Sequence, residues 1–313
     1  MRGLSIEKEL AEEARRYLLN ERKIIAGFKP LKEGDRVIFP ISGSVSEMGE
    51  EVIREFEARK IAPPKLRVPL DFIGDIALVR EMLSEEEITQ LLSKPFVNTI
   101  LLDRGITGDF RVRDLMWVGG ERKFSTYYKE NDLIFYIDLK KAYFNPRLST
   151  ERARIAGLVE EGETVIDMFA GIGPFPLNIA SKKDSLVYGI DINPDAIKMM
   201  RQNIELNHKK LLGQVIPIEG DAKTARLGGS RIIMNLPLSS INFLDAALSL
   251  LGGYTGNIHL YALFNRGEGD KTAEKIEKRV TELRWSCCAD IVKEKDYSTT
   301  KVIGFFDIQV RRM

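Results

Sequence analysis

The chain has 313 residues, 44% apolar and 30% charged, with a formal net charge of +1. This composition buries full cores in two or three domains and excludes a disordered or fibrous chain, while near-neutrality means that any polyanion must be met by local basic patches. Cys287 and Cys288 are the only cysteines, too few and too close for a zinc site or a disulfide framework, so no metal is expected.

Met1 to Arg16 is charged throughout, without an apolar signal core, and no apolar run reaches the roughly 18 residues of a membrane span. The sequence therefore reads as cytoplasmic, unprocessed and monomeric. Its two histidines among abundant charges suit a heat-adapted protein.

Leu10, Ala14, Tyr17 and Leu18 share one face of a predicted helix over residues 7–20, Arg36–Ile41 reads as a strand, and Glu50–Ala58 as a second helix. Residues 1–62 thus form a small α/β module. Pro63, Pro64 and Pro69 among Lys60, Lys65 and Arg67 predict a stiff linker across 59–69. A middle α+β domain follows over 63–142. Phe72–Val79, Asn98–Leu102, Phe110–Val118 and Leu133–Leu139 are strand-like there, and Ser84 with three glutamates opens a helix.

From residue 143 to 313 strands and helices alternate, as in an α/β sheet covered on both faces. The predicted strands are Thr164–Phe169, Leu186–Asp191, Gln214–Glu219, Arg231–Asn235 and Asn257–Phe264. Helices fall near Arg152–Glu160, Pro174–Ser181, Pro194–Asn207, Ser240–Leu251 and Lys271–Leu283. Ser286–Lys293 and Lys301–Arg311 then close the sheet as an antiparallel hairpin, making seven strands.

The run Asp167-Met168-Phe169-Ala170-Gly171-Ile172-Gly173-Pro174 leaves an apolar strand and enters a helix. Gly171 and Gly173 permit a tight turn close to a ligand, but the third glycine of a dinucleotide fingerprint is missing and Pro174 suits a first helical position. Asp191, followed by Ile192, ends the second strand, where a carboxylate can accept both ribose hydroxyls of a nucleoside. Asp221, followed by Ala222, ends the third, within reach of an adenine amine. Acids in register at successive strand ends describe a nucleoside crevice, and the cofactor inferred is S-adenosylmethionine, with Asp167, Phe169, Gly171, Gly173, Asp191, Ile192, Asp221, Ala222 and Asn235 around it. The fold is then a Rossmann-like S-adenosylmethionine methyltransferase domain. Its fourth strand ends Asn235-Leu236-Pro237-Leu238, the place where amino-group methyltransferases carry an Asn or Asp, prolines and an aromatic. Leu236 and Leu238 replace the other members, so stacking on a base must come from elsewhere.

Before the first catalytic strand stands Ala142-Tyr143-Phe144-Asn145-Pro146-Arg147-Leu148-Ser149-Thr150-Glu151-Arg152. With Phe72-Ile73-Gly74-Asp75-Ile76-Ala77, Gly108-Asp109-Phe110-Arg111-Val112-Arg113, the Asp-Met-Phe-Ala-Gly loop and Asn235-Leu236-Pro237, this resembles the archaeal and eukaryotic tRNA guanine-37 N1-methyltransferases over nearly the whole chain. The resemblance implies that the N-terminal module helps grip the tRNA body, that the middle domain meets the anticodon stem, and that the last domain holds the methyl donor. It makes Glu151 the base at guanine N1 and Arg111 the donor to O6. Tyr143 orders the loop around a flipped base, Asn235 and Pro237 line its pocket, and Arg152 contacts the cofactor. Those roles match the chemistry, because N1 bears a proton at neutral pH and charge develops on O6 as it leaves.

Arg113, Arg122, Lys123, Lys209 and Lys210 add cations that could meet phosphates. Trp117, Tyr127 and Tyr128 read as packing residues. The sequence departs from the family pattern in its short connection after the first module and in Asn145, where serine is common. The alternative reading is methylation or aminocarboxypropyl transfer on a wyosine-type precursor at the same tRNA position, though such relatives tend to lose the Asn-Leu-Pro or Pro-Arg…Glu set. Leu238 disfavours an exocyclic-amine methyltransferase, and the acids of the cofactor loops disfavour a non-catalytic RNA-binding scaffold.

Overall fold

The structure, a computed structural model, describes residues 1–21, 23–25, 28–45, 48–57, 69–108 and 110–313. Asp109 and the predicted linker, with Lys60, Pro63, Pro64, Lys65 and Arg67, lie outside the described residues, Pro69 apart. The chain divides into two compact units, Met1–Leu66 and Arg67–Met313.

In the first unit, β1 (Arg2–Glu7) and α1 (Ala11–Asn20) precede β2 (Leu31–Glu33), β3 (Arg36–Pro40) and β4 (Glu50–Ile53). The antiparallel sheet has the order β2-β3-β1-β4. Leu4, Ile6, Val37 and Phe39 meet Ala14 and Leu18 of α1 in its core, whereas Leu10, expected on that face, is exposed. Two expectations need correction. Glu50–Ile53 is a strand rather than the start of a helix, because Val52 and Ile53 pair with Gly3 and Arg2, and tertiary pairing overrides the helix preference of the glutamates. The charged N-terminus, where no strand was expected, supplies the inner strand β1.

The second unit opens with β5 (Leu70–Ile73), β6 (Ile76–Val79), α2 (Glu85–Leu92), β7 (Thr99–Thr107) and β8 (Val112–Gly120), a sheet ordered β5-β6-β7-β8. The stretch Phe72–Val79, predicted as one strand, is a hairpin: Gly74 turns it at φ +57°, where a Cβ would strike Thr126 and the Tyr127 carbonyl. Asp75 secures this turn by accepting from Asn98 Nδ2 at 2.8 Å, Lys123 Nζ at 2.6 Å and Thr126 Oγ1 at 2.6 Å. Ser84 caps α2 in a reciprocal capping box with Glu87, as its sequence requires.

The hairpin of β9 (Ser125–Glu130) and β10 (Leu133–Asp138), of which only the second strand was expected, lies against α5 (Pro194–Asn207). Two buried asparagines one turn apart on that helix stand in for a neighbouring strand. Asn207 bonds both Ile134 N and O, at 2.9 and 2.7 Å. Asn203 bonds Tyr136 N and O, at 2.7 and 3.3 Å.

The C-terminal layer adds α3 (Ser149–Leu158), β11 (Thr164–Asp167), α4 (Pro174–Ala180), β12 (Leu186–Asp191), β13 (Gln214–Glu219), β14 (Arg231–Met234), α6 (Leu244–Ser249), β15 (Thr255–Asn265), α7 (Gly269–Glu282), β16 (Trp285–Asp296) and β17 (Lys301–Arg312). Its seven strands run β13-β12-β11-β14-β15-β17-β16, parallel except for the closing β16–β17 hairpin. The order reverses between β11 and β14, so the crevice for a ligand opens beyond their carboxyl ends. One core runs from Ile76 and Leu101 through Phe135 and Phe144 to Ile155, Phe175 and Met200. The middle sheet and the C-terminal layer therefore share a core within the second unit. Trp117 and Tyr127, read as packing residues, are exposed, while Tyr128 packs edge-on against Phe144.

Candidate active site

The loop after β11 is stitched to both neighbouring strands, Met168 N donating to Ile233 O at 3.0 Å and Ala170 N to Ile190 O at 2.8 Å. Gly171 and Gly173 take φ values of +55° and +88°, a backbone region that disfavours any side chain. At Gly173 a Cβ would also approach Met200 Cγ to 2.6 Å. At Gly171 the nearest atom to an added Cβ is the Tyr143 carbonyl oxygen, 3.8 Å away, so the Tyr143 loop borders the turn.

Asp191 closes the turn from β12: its Oδ2 accepts from Gly171 N at 2.7 Å and its Oδ1 from Asn193 N at 2.9 Å. Burial raises its pKa against these two amides. Asp167 is 1% exposed; its Oδ1 accepts from Phe169 N at 3.2 Å and its Oδ2 has no partner among the described residues. Burial pushes its carboxyl up to about 8, with the Phe169 amide opposing and Asp191 adding to the rise. Phe169 packs edge-on against Phe243 at 5.0 Å. Ile192 is exposed and Ala222 buried, and exposed Asp221 accepts from Lys223 N at 2.9 Å. Half-buried Asn235 and Pro237 follow β14, where Ser240 Oγ holds the turn by donating to Met234 O at 2.9 Å.

Glu151 lies in the first turn of α3, only 3% exposed. Its Oε1 accepts from Tyr261 Oη at 2.8 Å and from Arg154 Nη2 at 2.7 Å, and its Oε2 from Arg154 Nε at 2.9 Å. The Tyr261 ring packs against Phe175, the second residue past Gly173, at 6.0 Å. Burial, then the Glu151 charge, raises the Tyr261 hydroxyl well above its ordinary value. Asn145, the departure from serine, caps the turn Pro146–Leu148 by accepting from Arg147 N at 3.0 Å.

Arg152 is buried and pairs with Glu130 of β9 through Nε at 2.6 Å and through Nη2, while Nη2 also reaches Asn145 O at 3.2 Å. Its guanidinium braces the hairpin to α3. Arg111 sits at the turn before β8 with φ +53°, its amide donating to Gly108 O at 3.1 Å. Among the described residues no contact joins it to Glu151. The arginine that reaches the Tyr143 loop is Arg113, stacked 4.9 Å from the Tyr143 ring, donating to Phe144 O at 3.0 Å and paired with Asp103. Sequence reasoning missed Arg154, Tyr261 and Asp307. Arg154 was legible as a cation one turn beyond Glu151 on the same helix; the other two come from distant strands.

The TRM5/TYW2 methyltransferase domain matches residues 126–288. The tRNA (guanine(37)-N(1))-methyltransferase Trm5b of Methanocaldococcus jannaschii is 31% identical over 347 residues, covering 99% of this chain and 98% of that one. The chain belongs to the TRM5/TYW2 methyltransferase family. It is an S-adenosylmethionine-dependent methyltransferase, and its closing hairpin and switch-point crevice are those of the Rossmann-like fold expected. The crystal structure of Trm5b from Pyrococcus abyssi superposes with a TM-score of 0.69 at 29% identity over 99% of both chains. The tRNA(Phe) (4-demethylwyosine(37)-C(7)) aminocarboxypropyltransferase of M. jannaschii is 34% identical, over 74% of this chain and 90% of that one. The donor set fits the family's cofactor: among the described residues a buried Asp167 oxygen lacks a donor beside a turn whose left-handed glycine backbone disfavours side chains, and such atoms normally find a partner.

Proposed function

We propose that this chain transfers the methyl group of S-adenosylmethionine to N1 of guanosine 37 in tRNA, with Glu151 as general base. The observation that carries the reading is the position of Glu151: buried, bound to Tyr261, and joined through Phe175 to the glycine turn. When bound, S-adenosylmethionine supplies a sulfonium methyl group. Asp167, Asp191 and the turn Gly171–Gly173 would hold it, with Phe169, Ile192, Asp221 and Ala222 around the nucleoside and Arg152 behind them through its brace on Glu130.

The chain's own task is to make N1 nucleophilic. Glu151 takes the N1 proton, and Arg111 donates to O6 as charge develops there. The left-handed backbone of Arg111 supports a dedicated role, since that conformation costs a non-glycine residue about 1–2 kcal/mol. Tyr143, stacked under Arg113 beside Gly171, orders the rim of the pocket, and Asn235 and Pro237 line it. The guanine must leave its stack, and contacts in this pocket offset that cost of a few kcal/mol.

Coverage of the relatives favours this substrate. The match to the N1-methyltransferase spans the first unit, whereas the wyosine-pathway relative corresponds to about three quarters of the chain. We assign residues 1–62 to the grip on tRNA, 63–142 to the anticodon stem and 143–313 to methyl transfer. Unmodified tRNA transcript incubated with labelled cofactor should yield N1-methylguanosine at position 37. Label on another nucleoside, or only on a wyosine precursor, would overturn the assignment.

A further inference from the structure

We infer that Arg154 is a positioning residue for Glu151, the near end of a hydrogen-bonded train that fixes the direction of that carboxylate; the inference rests on Glu151 being the base. One edge of the Arg154 guanidinium grips Glu151 through Nε and Nη2, at 2.9 and 2.7 Å. The remaining edge grips Asp307 of β17 through Nη1 and Nη2, at 2.7 and 3.0 Å. A planar fork held on two sides cannot turn without losing paired charge-assisted bonds.

Asp307 is held in its turn. Its Oδ1 lies 2.6 Å from His259 Nδ1, and His259 Nε2 lies 2.8 Å from Arg231 Nη1. A guanidinium has donors only, so Nε2 accepts and Nδ1 carries the proton. Burial holds His259 below its ordinary pKa, in keeping with a neutral ring. Burial would raise Asp307, but the bonds from His259 and Arg154 outweigh it and keep that carboxyl well below the usual range. Arg231 finally donates to Glu163 Oε1 at 3.0 Å and to Leu158 O at 2.9 Å.

From Glu163 to Glu151 each link joins a donor to an acceptor. The train ties the first turn of α3 to β14, β15 and β17, three inner strands of the seven-stranded sheet. Neutralising Glu151 would need only the arginine one turn away; the extension through Asp307 and His259 is what a fixed orientation requires. A general base must aim at its proton, and a misplacement of about 1 Å can cost about 100-fold in rate.

The test uses the full chain, with single-turnover methylation of tRNA transcript, KM for tRNA and calorimetric Kd for S-adenosylmethionine. Glu151→Gln should lower kcat by roughly 100-fold or more. Arg154→Gln should lower it about 10- to 100-fold with KM and Kd within about twofold, and Arg154→Lys should recover part of the loss. The double variant should be no slower than Glu151→Gln alone, because Arg154 acts through Glu151. An unchanged kcat in Arg154→Gln, or losses that multiply in the double variant, would overturn the inference while leaving the base in place. Normal turnover in Glu151→Gln would instead remove the base reading, and the inference with it. Should Arg154→Gln not fold, Asp307→Asn decides, since it frees only the far edge of the guanidinium: a kcat reduced about tenfold at constant KM is expected, and an unchanged kcat overturns the proposal.

Discussion

At the scale of single residues, Asp167 would, on the proposed site, link stability to ligand binding. Its carboxyl is raised to about 8 by burial, whereas an unfolded aspartate titrates near about 3.9. Between these values the folded chain holds a proton that the unfolded chain has lost, so this group makes stability fall as pH rises from about 4 to about 8. Asp167→Asn keeps the shape and removes the titration. Its melting temperature should therefore fall less than that of the parent between pH 6 and pH 8. The same variant loses an ionisable acceptor beside the glycine turn. Above about pH 8, where the folded carboxyl is ionised, a charge-assisted bond contributes about 2 kcal/mol, so there S-adenosylmethionine should bind the variant roughly 30-fold more weakly. Parallel melting curves would remove Asp167 as the titrating group, and unchanged affinity would remove it from the cofactor site. Asp191→Ala should weaken cofactor binding before it touches turnover at saturating cofactor, because Asp191 also holds Gly171 N.

At the scale of elements, the glycine turn is supported by α5 from behind. Asn203 Nδ2 donates to Ile172 O at 3.1 Å, and the same side chain pairs with Tyr136 of β10. One asparagine thus couples the hairpin, the helix and the residue between Gly171 and Gly173. Replacing it by alanine leaves the buried Tyr136 N–H and two carbonyls without partners, at about 1–3 kcal/mol for each group left unsatisfied. Asn203→Ala should lower the melting temperature by several degrees and also raise the Kd for S-adenosylmethionine; a stability loss with an intact Kd would confine its role to the hairpin. This support was illegible in the sequence, where Asn203 is one polar residue on an amphipathic helix. The glycine turn, the acids at the ends of β11, β12 and β13, and the alternation of strands and helices up to the closing hairpin could be read, because local backbone rules and alternating apolar runs encode them. Tyr261, His259 and Asp307 could not, since their meaning depends on the antiparallel pairing of β15 with β17. β4 was misread for the same reason, its identity resting on pairing with β1 rather than on its own residues.

At the scale of the whole molecule, each compact unit has a core of its own. Leu4, Ile6, Leu18 and Phe39 close the first, while the second is filled from Ile76 to Phe305. The glycine turn, Glu151 and Arg154 with its train all belong to the second unit. On the proposed site, cofactor binding therefore depends on residues that the first unit does not contribute. Binding tRNA is different, because affinity for a polyanion grows with the number of phosphates met, and losing cations lowers both affinity and its salt dependence. With a net charge of only +1, the chain has no global field to compensate for a lost contact surface. A chain lacking residues 1–66 should bind S-adenosylmethionine within about twofold of the parent, yet show a KM for tRNA raised about tenfold or more and a shallower dependence of KM on salt. An unchanged KM in that truncated chain would take the first unit out of tRNA recognition and leave the anticodon stem as the whole of the binding surface.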